Sequence, residues 1–415
     1  MMSINPLSPS PLSPRLIELP PLSLYIHLPW CIKKCPYCDF NSHAMDRQTD
    51  LPEEAYVAAL KRDLEMALPA IWGRPVISVF FGGGTPSLFS AQAIDAILSH
   101  ARMLLPFVPS AEITLEANPG TFEAPKFADF RAAGINRLSI GIQSFNRKHL
   151  KALGRVHDDL EAWRAVEMAC RYFDNVNLDL MYALPEQTLA EAQKDIEQAR
   201  TCDVRHLSAY HLTLEPNTWF YQHPPDLPDD DLSADMQEMI EQFLAEQGYG
   251  NYEISAFAKS GWECRHNLNY WQYGDYLGVG AGAHTKISSR EKIVRQMRHK
   301  HPRQYLEQSA NIPKEAAAFI VREHEVASRD RVFEFMMNAL RLTEGFAPAL
   351  FQSHTGLALS ALQKQLEVAE QQNLIIWTHD RIRPTLRGRR YLNDLLGIFF
   401  QNDALSLDKA TIDLI

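Results

Sequence analysis

The chain has 415 residues, 46% of them hydrophobic and 22% charged, which is the balance of a globular protein able to bury more than one core and excludes wholesale disorder. Lysine and arginine number 41 against 51 acidic residues, and the net charge of −10 disfavours a global affinity for nucleic acid or anionic lipid. No apolar run approaches the roughly 18 residues that span a bilayer, so no integral membrane segment is expected. Residues 1–22 are rich in Pro and Ser, with no basic n-region, apolar h-region or Arg-rich amphipathic pattern, and predict a disordered tail and a cytoplasmic address. From residue 23 to about 260, short β-branched or apolar runs alternate with longer segments of helical period, which predicts βα units around a parallel sheet. The predicted strands are 24–28, 76–81, 112–116, 137–142, 176–181 and 206–212, and the predicted crossover helices 53–68, 91–104, 158–172, 189–200 and 233–247. Six strands favour a partial (βα)6 barrel over a closed eight-stranded one, with the ligand site at the strands' carboxyl ends. The aromatic and Gly-rich stretch 261–300 is expected to pack over the barrel mouth. Residues 301–415 read as a smaller, mostly helical domain, with Leu359, Leu362 and Leu366 on one face. Within it, 373–378 and 381–386, joined at His379 and Asp380, predict a two-stranded wing as in a winged-helix module. This domain is expected to cover apolar surface or mediate contacts rather than to bind DNA, despite a local cluster of arginines from Arg381 to Arg390.

Three of the six cysteines, Cys31, Cys35 and Cys38, fall within eight positions directly after the first predicted strand. Three thiolates so spaced can wrap one metal centre, and thiolates suit iron–sulfur clusters or zinc. A four-iron cubane on three protein thiolates keeps one iron open to another ligand. The competing reading is a tetrahedral Cys3His zinc site completed by His27 or His43. Cys170 and Cys202 are expected to be buried small apolar residues.

The CxxxCxxC spacing, with the aromatic Tyr37 before the third Cys, resembles the radical S-adenosylmethionine superfamily. The words YIHLPWCIKKCPYCDF, FFGGGTPS, EANPG, GIQSF, LGRVH, NLDLMYALP and HNLNYW, in this order, are similar to the oxygen-independent coproporphyrinogen III oxidase family, and most of all to its haem-chaperone (HemW-like) branch. The resemblance implies a [4Fe–4S] cluster on Cys31, Cys35 and Cys38, with S-adenosylmethionine on its open iron. It implies backbone contacts to the methionine end from Gly83, Gly84 and Thr85, and charged contacts from Glu116 and Arg155. It implies ribose-side partners in Gln143 and Asp179, and flanking aromatics in Tyr25 and Tyr37. It further implies haem as ligand, with His266 of the HNLNYW word as axial ligand and Cys264 and His284 as rivals, and delivery to apo-haemoproteins such as respiratory membrane enzymes. The alternative within the family is radical decarboxylation of a porphyrinogen. Two departures argue against it: Phe40 stands where the decarboxylating enzymes carry a further Cys, and only about 30 residues precede the cluster loop. Catalytic residues are therefore not assigned.

Overall fold

The computed structural model describes residues 15–45, 51–120, 124–310 and 318–400; the expected disordered tail lies outside them as far as residue 14. The six expected strands form at Leu22–Leu28, Val76–Gly83, Phe107–Ala117, Arg137–Gln143, Val176–Tyr182 and His206–His211. They pair in chain order, all parallel. The helices between them include Glu53–Ile71, Ala91–Leu104, Asp159–Tyr172, Leu189–Thr201 and Asp230–Glu246. Two of these begin with a capping box, Asp158 with Glu161 and Thr188 with Glu191, which satisfies amides a helix start would otherwise leave unpaired.

Each strand has two unlike faces, because successive side chains point to opposite sides. Leu24, Ile26, Val79, Phe81, Ile113, Leu115, Leu138, Ile140, Leu178 and Leu207 pack outward against apolar helix positions such as Leu60, Ile94, Phe130, Ala165 and Ile196. The intervening positions turn into the barrel: Glu116; Arg137, Ser139 and Gly141; Asn177 and Asp179; His206, Ser208 and Tyr210. A packed barrel core would be apolar here. This polar lining marks a lumen.

The sheet extends well past the six strands, to twelve among the described residues. Asp275–Val279 pairs parallel to the first strand, and His284–Ser288, Ile293–Arg298 and Ile320–Glu325 follow antiparallel. Residues 261–300 therefore do not lie over the mouth as the sequence suggested. Their helix Arg265–Trp271 sits at the opposite end: Arg265 N and His266 N donate to Glu112 Oε1 at 2.9 and 3.3 Å, and Asn269 Nδ2 donates to Ser23 Oγ at 2.9 Å. Ser23 lies near the amino end of its strand and Glu112 is level with it, both in register with Ser78, so the helix plugs the barrel from below. Gly280 allows close packing on the first strand; a Cβ there, at φ +107°, would stand 2.5 Å from His27 O.

Because Ile320–Glu325 belongs to the large sheet, the helical domain starts near Ser328 rather than at 301. Its helices Ser328–Ala339, Pro348–Thr355, Gln363–Gln371 and Leu392–Phe399 enclose a separate core around Phe335, Phe351, Leu366 and Leu395. The wing is present as Ile375–Trp377 paired antiparallel with Ile382–Pro384. Leu16 inserts into this core, 3% exposed, and its N donates to Arg290 O at 2.9 Å, so residues 15–22 are not a free tail. Among the described residues no helix is long and apolar enough to cross a membrane.

Candidate cofactor and ligand site at the barrel mouth

The chain leaves the first strand at Leu28 and folds the cysteine loop back over the barrel. His43 N donates to Pro29 O at 2.7 Å and Met45 N to Cys31 O at 2.8 Å, which closes the loop on itself. The neighbouring strand end fastens it: Gly84 N donates to Leu28 O at 2.8 Å and Thr85 N to Trp30 O at 2.7 Å. Only glycine fits at position 84, where a Cβ would meet Trp30 O at 2.5 Å. The amides of Gly84 and Thr85 thus hold the loop instead of facing a ligand. The Gly83 amide turns to Glu116 Oε2 at 3.3 Å.

Cys31, Cys35 and Cys38 line one cavity of ≈ 370 Å³, together with Tyr37, Gly83, Gly84, Thr85, Glu116, Gln143, Arg155 and Asp179. The structure thereby brings together all the expected site residues except Tyr25 and His266. Tyr25 lies one layer deeper, beside Phe80 and His266, with its OH 3.1 Å from His27 Nδ1. His266 lies with it at the base of the barrel.

Each thiol has polar neighbours. Thr85 Oγ1 donates to Cys31 Sγ at 3.5 Å, Ser42 Oγ lies 3.7 Å from Cys38 Sγ, and Arg155 Nη1 donates to Cys35 Sγ at 3.5 Å. Burial holds the Cys31 and Cys38 thiols above their ordinary range, offset by the Thr85 and Ser42 hydroxyls, so metal binding must displace their protons. Arg155 is fixed by Asn118 Oδ1 at 2.6 Å and Gly141 O at 2.7 Å, and Asn118 Nδ2 donates on to Thr85 Oγ1 at 2.8 Å. Burial, then the nearby Asp179 carboxylate, pushes Glu116 up to about 8, so it is protonated at neutral pH until a cation arrives. Asp179 accepts from Ser139 Oγ at 2.9 Å and Asn177 Nδ2 at 2.8 Å, and burial raises it as well. Gln143 reaches the cavity from a strand end at φ +68°, where the ladder shifts register past Gly141. A non-glycine residue pays about 1–3 kcal/mol for that conformation, as residues at ligand sites often do.

The histidines proposed for a zinc site lie elsewhere. His27 spends Nε2 on Asn41 O at 2.9 Å and Nδ1 on Tyr25, and His43 packs against His301 at 5.1 Å between ring centroids. No three His, Cys, Asp or Glu side chains among the described residues gather closely enough for a single ion; the thiols instead share the wall of a larger cavity. Of the rivals to His266, Cys264 is buried and donates to Glu112 Oε1 at 3.5 Å, and burial pushes its thiol up to about 12. His284 opens the strand His284–Ser288 of the sheet extension. Cys170 is exposed and Cys202 half-buried, contrary to the expectation of two buried thiols; Cys170 faces out of an amphipathic helix. Reading the motifs missed Arg137, Asn118, Asn177 and His206, all in the same cavity. Their signal was present as polar residues at every second position of strands otherwise apolar.

Residues 25–199 match the radical SAM superfamily, and residues 326–391 match the HemN C-terminal domain. That superfamily uses a [4Fe–4S] cluster and S-adenosylmethionine, and the donor set fits both. Three thiols share one cavity without a histidine among the motif candidates, and a guanidinium and a carboxyl stand ready for an amino-acid end. A solved structure of coproporphyrinogen III oxidase (HemN) from Escherichia coli superposes with a TM-score of 0.77 over 92% of this chain and 90% of that one, at 23% identity, a likeness of fold. The chain is 46% identical to the heme chaperone HemW of Haemophilus influenzae over 93% of its length and all of that protein's. It is 45% identical to the Escherichia coli HemW over 92% of this chain and 99% of that one, and 34% identical to that of Bacillus subtilis over 91% and 98%. Likeness of this degree, end to end, over a cavity that keeps the cluster thiols and their polar neighbours, means that the chain belongs to the HemW family of radical SAM proteins.

Proposed function

We propose that the protein is a cytoplasmic haem chaperone, which binds haem and hands it to apo-haemoproteins, among them respiratory membrane enzymes. The full-length likeness to proteins named heme chaperones carries this reading. When bound on Cys31, Cys35 and Cys38, the cluster would supply an open iron and one-electron reduction. Arg155 would orient a carboxylate beside it, Glu116 would exchange its proton for an ammonium, and Gln143 and Asp179 would hold hydroxyls.

His266 is suited to ligate the haem iron. Ser78 Oγ donates to Ser23 Oγ at 2.7 Å, and Ser23 also accepts from Asn269 Nδ2 at 2.9 Å. At the 3.2 Å contact between Ser78 Oγ and His266 Nδ1, the imidazole is therefore the donor. That tautomer leaves Nε2 with its lone pair, the form a metal takes. Burial, then Arg137, lowers His266 to about 3, so the ring is neutral throughout the physiological range. Phe80 packs on it at 4.9 Å between centroids.

The test is an anaerobic titration of the cluster-reconstituted protein with haem, read by absorbance, with porphyrinogen turnover assayed on the same sample. Saturable haem binding without turnover is expected. Turnover in step with 5′-deoxyadenosine, without stable haem binding, would replace the chaperone by the decarboxylase.

A further inference from the structure

The lumen continues below the cluster residues to a floor lined by Arg137, Asn177, His206 and Asn267, none of which the reading above employs as ligand. Arg137 opens its strand, points inward and is 2% exposed. Its Nε has no acceptor, and among the described residues its guanidinium makes no ion pair or side-chain hydrogen bond. The carboxylates near enough to act on it through space are Glu112, Asp179 and Glu116, and none of them is hydrogen-bonded to it among the described residues. Glu112 Oε1 accepts from Arg265 N, His266 N and Cys264 Sγ, and Asp179 from Ser139 and Asn177. A buried guanidinium with unfilled donors is costly to maintain unless an acceptor arrives from outside the chain. Its planar fork matches a carboxylate, which it can bind through two parallel hydrogen bonds.

We propose that Arg137 is an anion-binding floor of the lumen, receiving a carboxylate of a ligand that enters from the cluster side. This deepens the chaperone reading and rests on it. In that reading haem carries the required group on a propionate, whereas the single carboxylate of S-adenosylmethionine is taken by Arg155 beside Cys35.

The experiment compares equilibrium binding of haem, haem dimethyl ester and S-adenosylmethionine to the cluster-reconstituted wild type, Arg137→Gln and Arg137→Lys. Haem should bind Arg137→Gln about 10- to 100-fold more weakly, the factor a charge-assisted pair is worth, with Arg137→Lys between. The wild type should bind the ester as weakly as the Gln variant binds haem. A loss confined to S-adenosylmethionine overturns the proposal, because haem is then not the ligand that Arg137 holds. Unchanged affinity for all three in a Gln variant of unaltered cluster absorbance and Tm overturns the proposal. If Arg137→Gln does not fold, equal haem and ester affinity in the wild type, with unchanged affinities in Arg137→Lys, overturns it equally. A wild type that binds no haem sinks the chaperone reading itself, whereas one that binds haem and its ester equally sinks only the anion floor.

Discussion

At the scale of single residues, the site separates into groups that hold metal and groups that hold charge, and substitutions should separate them too. Cys38→Ala should abolish the brown cluster absorbance. His266→Ala should leave that absorbance and the Tm within error and weaken haem binding at least about tenfold, the order expected when one liganding or charge-assisted contact is lost. A haem spectrum identical to wild type in His266→Ala would remove this residue from the haem site. Glu116 offers a test by pH. Its folded value of about 8 lies above the ordinary 4.5, so the folded chain holds this proton more tightly than the unfolded chain. The stability this contributes is complete below pH 4.5 and is lost as pH rises through about 8. The Tm of ligand-free wild type should therefore fall relative to Glu116→Gln across that window, because glutamine has no proton to lose. Glu253 titrates in both proteins and cancels, whereas Asp179 is coupled to Glu116 through space, so the difference between the two profiles reports Glu116 together with its effect on Asp179. Parallel profiles would mean that Glu116 is not held neutral by burial.

At the scale of elements, the cluster loop depends on a backbone contact that tolerates no side chain. Gly84→Ala would drive a Cβ into Trp30 O. It should cost about 1–3 kcal/mol in denaturant melts and lower iron and sulfide content after reconstitution. The opposite result is expected in the last helix, Leu392–Phe399. There a Cβ on Gly397 would meet nothing within 4 Å, and its φ needs no glycine. Gly397→Ala should stabilise the protein by about 0.5–1 kcal/mol in the same melts, by restricting the unfolded chain and favouring the helix. Equal effects at the two positions would show that the close approach at Gly84 is not what selects glycine there.

At the scale of the molecule, the helical domain is tied to the sheet extension by a buried charge pair. Arg295, in Ile293–Arg298, meets Glu334, in Ser328–Ala339, through Nε and Nη2, each at 3.0 Å, and Tyr273 OH donates to the same carboxylate at 2.6 Å. Glu334→Ala strands a buried guanidinium and should cost about 3–5 kcal/mol, whereas replacing both partners with apolar residues should recover much of the loss. A Glu334→Ala melt indistinguishable from wild type would show that the two parts are not coupled there. Local signals carried much of this architecture. The six barrel strands, their crossover helices and the wing were legible because apolar period and turn chemistry are properties of adjacent residues. The cysteine loop was legible because its three thiols fall within a span of eight residues, Cys31 to Cys38. The strand Asp275–Val279 was not, since its pairing with Leu22–Leu28 joins residues about 250 positions apart and leaves no local mark. Chain separation also concealed the place of HNLNYW, whose aromatics read as a lid until Ser23, near the amino end of its strand, and Glu112, level with it, drew its helix to the base of the barrel. The sequence alone determined which residues are able to bind a cluster. Only the tertiary structure decided that an unpartnered arginine lies beneath them, because burial and the lack of an acceptor depend on chain segments that meet only when the barrel closes.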